Sequence, residues 1–203
     1  MHIEFLVEEP SIEATLHNLL PSMIPYDATY RISVFRGKKD LLKQLPARLD
    51  GYAHWIPESY RLVILIDQDR ENCLVLKKQL EQMCQHSGLT TKSNNHGNGF
   101  QVLNRIVIEE LESWFIGDVD ALRSAYPRIP ESFAKRIKFR DPDSVQGGTW
   151  ESLEAALQKL GYFRGGYSKV QAARDISIHM IPERNRSKSF QVFREGLLVL
   201  IGQ

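Results

Sequence analysis

The sequence predicts an α/β domain with a mostly parallel sheet and a C-terminal helical layer. Three observations carry that prediction. Short apolar runs alternate with amphipathic helical stretches through residues 1–117. The alternation repeats at a spacing that suits parallel strands with helices on both faces. Beyond Asp118 only helical patterns occur, so residues 118–203 read as an extension packed on the sheet domain.

"IEFLV" (Ile3–Val7) reads as a buried strand. Ser11 offers an N-cap to a helix whose stripe is Ile12, Leu16, Leu19, Leu20 and Met23, with Pro21 and Pro25 ending it. "YRISVFR" (Tyr30–Arg36) is a second strand, and "KKDLLKQLPARL" a helix with Leu41, Leu42, Leu45 and Leu49 inward. Pro46 is expected to kink that helix or end it early.

"RLVILI" (Arg61–Ile66) is the third and most apolar strand. A helix over Glu71–Gln85 turns Leu74, Leu76, Leu80, Met83 and Cys84 inward and stops at Gly88. After the loop "TTKSNNHGNG" come a fourth strand, "FQVLNR", and a helix, "VIEELESWF". The extension then shows three helices. "TWESLEAALQKLGYF" is capped by Thr149 and closed at Gly161, "SKVQAARDISIHM" is capped by Ser168, and "SFQVFREGLLVLIG" is last.

Composition is that of a soluble globular chain: 203 residues, 42% hydrophobic and 25% charged. Acidic residues in "MHIEFLVEEPS" stand where a secretory leader has a basic start. No apolar run approaches the roughly 18 residues of a membrane span. Cys73 and Cys84 have neither disulfide nor metal-site spacing, so a reduced cytoplasmic setting is expected. Net charge is only +1, but eight acids (Glu8, Glu9, Asp67, Asp69, Glu71, Glu109, Glu110, Glu112) fall in three clusters. Without them 26 Lys and Arg face 17 acids, so cation-filled clusters would leave a basic surface suited to nucleic acid.

Function in an open parallel sheet gathers at the carboxyl ends of strands. Glu8 comes just after the first strand there, and Asp67 and Asp69 just after the third. If those strands are neighbours the three carboxylates converge, and converging carboxylates need a proton or cation between them. Alternation along an extended segment lets Asp67 and Asp69 share one ion. Oxygen ligands without His or Cys favour Mg2+ or Mn2+ and phosphoryl-transfer chemistry.

Helical spacing sets Glu109 toward water and leaves Glu110 and Glu112 bordering the apolar arc, Glu110 being the favoured auxiliary ligand. Lys38, at the rim end of the second strand, is a candidate neutraliser of phosphate charge. Plainer readings attach to Glu9, Glu13 and Glu71, as first-turn acids favoured by a helix dipole. The six histidines (His2, His17, His54, His86, His96, His179) show no paired spacing, and neither a nucleotide-binding glycine loop nor a nucleophile elbow is present. "FAKRIKFR" and "ERNRSKSF" have compositions suited to phosphate backbones.

A Glu after strand one with Asp-x-Asp after a later apolar strand resembles the Toprim signature of topoisomerases, primases and nucleases attached to overcoming-lysogenization-defect ATPases. "IEFLVEEPS", "GKKDLLKQLPARLDGYAHW", "VILIDQDR", "NRIVIEELESWF", "AYPRIP", "GTWESLEAAL", "GYSKVQAARDISIHM" and "RNRSKSFQVFREGL" resemble a bacterial domain-of-unknown-function family, number 4276 in its series.

The resemblance implies a Toprim-like Rossmannoid fold with Glu8, Asp67 and Asp69 as metal-binding acids. It also implies an AAA or ABC-type ATPase partner encoded nearby, in a defence or mobile-element setting. The chain departs from related nucleases where Glu9 replaces a glycine, Ile12 stands at the second acid, and Glu13 comes one position late.

The expectation is a Mg2+- or Mn2+-dependent nuclease acting on DNA or RNA, with a homo-oligomer compatible with the reading. The alternatives are a non-catalytic regulatory subunit of an ATPase complex and a haloacid-dehalogenase-like phosphatase. The phosphatase chemistry wants its Asp-x-Asp on the first strand with Gly-Thr directly after it, where this chain has Arg70-Glu71.

Overall fold

The computed structural model describes every residue except Glu58, His96, Asn98 and Gln203. His96, one of the six histidines, therefore lies outside the described residues.

Four strands, β1 (His2–Val7), β2 (Thr29–Val34), β3 (Tyr60–Asp67) and β4 (Val102–Val107), form one all-parallel sheet ordered β2-β1-β3-β4. Helices α1 (Pro10–Met23), α2 (Lys38–Trp55) and α3 (Cys73–His86) make the crossovers, so the fold is α/β and Rossmann-like. The two central strands are buried on both faces, which is why β3 reads as a continuous apolar run. Val63 and Leu65 face a core with α1, while Leu62, Ile64 and Ile66 face a second core with α2 and α3.

After α4 (Glu112–Gly117) the described residues hold no further strand, only α5 (Val119–Ala125), α6 (Thr149–Lys159), α7 (Lys169–Ser177), α8 (Lys188–Leu200) and short 3-10 turns. These helices share the α1-side core with the sheet. α7 lies on α1, where Asn18 Nδ2 donates to Ser177 Oγ at 2.8 Å, and α8 lies on β4, where Arg105 Nε donates to the Val192 carbonyl at 3.1 Å. Trp114 of α4 stacks on Phe193 at 5.1 Å and donates its indole N–H to Ser189 Oγ at 3.0 Å. Among the described residues no helix is long and apolar enough to cross a membrane.

Several local expectations are corrected. The segment "VIEELESWF" is not one helix: β4 runs through Val107, paired with Asp67, and α4 begins only at Glu112. Glu109 turns the chain between them at φ 59°. Apolar residues packed on both sides of a strand end imitate a helical stripe, and here the ladder decided.

Pro46 neither ends nor shortens α2, because Leu45, Leu49 and Tyr52 are buried on either side of it and hold the helix to the sheet. Pro21 likewise lies inside α1, whose N-cap position is Glu9 rather than Ser11. Thr149 is the first residue of α6, after Gly148 at the cap position. Leu74 is 75% exposed, since α3 starts at Cys73 under an Asn72 cap and its first turn projects past the core.

The extension is docked closely enough to forbid a methyl group at Gly117. A Cβ there would lie 2.8 Å from the Ser187 backbone nitrogen and against the Asn185 side chain, which is itself bonded to the Trp114 carbonyl at 2.8 Å. Gly117→Ala is expected to cost about 1–3 kcal/mol, the usual range for overpacking. Urea unfolding measures it, and an unchanged midpoint would show that the layer is more loosely docked.

Candidate metal centre

In the order β2-β1-β3-β4, α1 leaves β1 toward one face of the sheet and α3 leaves β3 toward the other. The connections diverge there and leave a crevice at the carboxyl ends of β1 and β3, the topological switch point. Glu8 and Asp67 flank it. The Glu8 Oε2 accepts a hydrogen bond from the Asp67 backbone N–H at 3.1 Å, joining positions 59 residues apart.

Asp67 is 3% exposed, and its Oδ1 has no hydrogen-bond partner. Strand alternation puts it on the face of Val63 and Leu65, toward the C-terminal layer. Burial, then the charges of Glu9, Glu8 and Glu112, hold its carboxyl well above the ordinary aspartate range. Burial likewise pushes Glu8 up to about 7, against the bond from Asp67 and the charge of Lys38.

Asp69 does not continue inward beside Asp67. Its backbone is left-handed at φ 51°, a conformation Asp tolerates, so the alternation expected of an extended segment stops at the strand end. Its carboxylate meets Lys38 Nζ at 2.7 Å. The buried Lys38 also contacts Glu71 at 3.2 Å and donates to the Gln68 carbonyl at 3.0 Å. Burial opposes the charge on Lys38, yet Asp69, Glu71 and Glu8 together hold its pKa above the ordinary lysine range.

Glu110, in the turn before α4, is tied to the start of α6. Its Oε2 accepts from the Trp150 backbone N–H at 2.9 Å, and Lys169 Nζ lies 3.8 Å from its Oε1. Glu112 is the more deeply placed acid. It is 1% exposed, its Oε2 has no partner, and its Oε1 accepts from the Tyr167 hydroxyl at 3.5 Å. Burial pushes Glu112 up to about 7, with Lys169 pulling the other way.

Lys169 is the residue that sequence reasoning missed. From the first turn of α7 it enters the field of Glu112, Glu9, Glu110 and Asp67, which outweighs burial and raises its pKa. A lysine at a helix N-terminus opposes the helix dipole. That mismatch was the available signal that Lys169 answers to something other than its own helix.

A cleft of 620 Å3 opens beside these groups, lined by Asp69, Arg70, Glu110, Gly147, Gly148 and Trp150 among others. Among the described residues, no three His, Cys, Asp or Glu side chains are gathered tightly enough to hold a metal ion as they stand. Within the crevice the carboxylates instead meet backbone N–H groups and lysines, and two oxygens are left without partners.

A family model described as a domain of unknown function, DUF4276, matches residues 7–198. The chain belongs to that family. The matched span includes Glu8, Lys38, Asp67, Asp69, Glu110, Glu112 and Lys169, so the DUF4276 region contains the whole crevice and both of its lysines. No curated protein and no solved structure matches the chain.

The raised carboxyl of Glu112 has a consequence for stability. With its folded pKa at about 7 against 4.5 ordinarily, the folded protein holds this proton more tightly than the unfolded chain. The associated stability is present below pH 4.5 and is lost as pH rises through 7, on the order of 3 kcal/mol in total. In EDTA, Glu112→Gln should flatten the fall in stability between pH 5 and pH 8. Denaturant melts at several pH values measure it, and equal slopes for the two proteins would contradict the burial argument.

Proposed function

We propose that this DUF4276 protein is a Mg2+- or Mn2+-dependent nuclease of the Toprim type, hydrolysing phosphodiester bonds in DNA or RNA. The observation that carries the reading is the meeting of Glu8 and Asp67 at the switch-point crevice, with Asp67 Oδ1 and Glu112 Oε2 buried and unpartnered.

The donor set fits a hard divalent ion. It consists of carboxylate oxygens whose charge is disfavoured by burial and by neighbouring acids, and a cation would relieve that cost. Glu8, Asp67 and Glu112 would hold the ion once their side chains turn toward one another, since no three acids among the described residues stand gathered without it. Once bound, such an ion polarises a phosphoryl oxygen and lowers the pKa of attached water.

The chain's own contribution is positioning and charge. Lys38 and Lys169 reach the carboxylates from β2's rim and from α7, where each meets the negative charge that develops on a phosphate during displacement. Lys38 is held by Asp69, Glu71 and the Gln68 carbonyl, which fixes its ammonium before substrate arrives. The resemblance noted in the sequence adds an AAA or ABC-type ATPase as partner.

A second reading, a non-catalytic subunit of an ATPase complex, draws on two observations. Asp69 is occupied by Lys38, and no three-ligand group stands ready among the described residues.

Purified protein, with and without its genomic neighbour, should cut DNA or RNA in Mg2+ or Mn2+. The Asp67→Ala, Asp69→Ala double variant should not, and undiminished cleavage by it would sink the nuclease reading. Lys169→Met is expected to lower kcat by about 10²-fold or more while leaving KM nearly unchanged, as for a group acting on transition-state charge. Calorimetry that finds no Mn2+ binding would favour the non-catalytic subunit.

A further inference from the structure

The cleft beside the carboxylates differs in chemistry from the crevice it adjoins. Its aromatic wall is Trp150, and several contacts hold that residue in place. The backbone N–H of Trp150 donates to Glu110 at 2.9 Å, Lys169 Nζ lies 5.3 Å from the indole centroid, and the Tyr167 ring lies 6.2 Å away at 24°. The preceding Gly147 and Gly148 have φ of 84° and 87°, a region open to glycine at little cost. At 620 Å3 the cleft falls within the roughly 300–1,000 Å3 of small-molecule sites, ample for one nucleoside.

The charged lining is mostly acidic, with Asp69, Glu71, Glu109, Glu110 and Glu151 against Arg70. Arg70 lines the cleft alongside Asp69, whose carboxylate is bonded to Lys38. Glu109 and Glu151 line the cleft together with Trp150. Ionised carboxylates only accept hydrogen bonds, so they repel phosphate and match the amino groups on the edge of a base. A base within a duplex is stacked and paired, and cannot lie against the indole. An unpaired base can, because every base offers a π-face.

We propose that the cleft is a subsite for an unpaired nucleotide next to the reacting phosphate, its base stacked on Trp150, so that the substrate class is single-stranded nucleic acid. The inference rests on the nuclease reading and narrows it.

The test uses the full chain with fluorescein-labelled 12-mers of DNA and of RNA, each single-stranded and as duplex. Ca2+ replaces Mg2+ so that binding is read by anisotropy without turnover, and cleavage is measured separately in Mn2+. Single strands should bind at least about tenfold more tightly than duplex. Trp150→Ala should lose roughly 5–50-fold on single strands and little on duplex, and Trp150→Phe should regain most of the loss.

Equal affinity for the two forms, or single-strand affinity unchanged in Trp150→Ala, overturns the inference, as does absence of binding. Cleavage in Mn2+ that is indifferent to strandedness and to Trp150 overturns this inference alone. Trp150-dependent single-strand binding without cleavage upholds the subsite and overturns the nuclease reading.

Discussion

Asp67 ends the most apolar strand of the sheet, and its carboxyl carries an oxygen with no partner in a dry environment. An isolated charge in such a place is costly enough that the group takes up a proton, pairs with a cation, or both. That constraint shapes its surroundings. Glu8 is held beside it by the Asp67 backbone N–H, Lys169 approaches from the C-terminal layer, and Lys38 holds Asp69 and Glu71 at the rim. Breaking the β1–β3 register would separate Glu8 from Asp67 and leave each with the desolvation penalty of its own strand end.

The C-terminal helices belong to this arrangement as much as the sheet does. Residues 118–203 supply Lys169, Tyr167 and Trp150, and each of them touches an acid that precedes residue 118. The same helices share one apolar core with α1 and the strands. Docking of the layer therefore both buries the core and builds one wall of the crevice. The boundary at residue 118 marks where strands stop along the chain, and the packing runs across it.

Much of the fold was legible because the sheet is buried on both faces. The apolar runs of β1 and β3 have no competing explanation, and the crossover helices carry clear stripes. Legibility fails where one pattern serves two geometries. Val107, Ile108 and Leu111 fit a helical stripe, and only the pairing of Ile106 and Val107 with Ile66 and Asp67 decides for a strand end. The helical sorting of Glu109, Glu110 and Glu112 fell with it. Asp69 failed differently, since a single left-handed residue breaks an alternation that the sequence suggests.

The sequence by itself determined the kinds of group available: carboxylates after β1 and β3, no histidine or cysteine among them, and a lysine at the head of α2. Local propensity and apolar periodicity act along the chain, so they fix the elements and the residues at their ends. Only tertiary structure decided which groups meet. Strand order made Glu8 and Asp67 neighbours, the turn at Glu109 carried Glu112 inward, and the packing of α7 on α1 brought Lys169 into the acids. Burial and electrostatic fields are properties of assembled surfaces, and no residue carries them before the chain has folded.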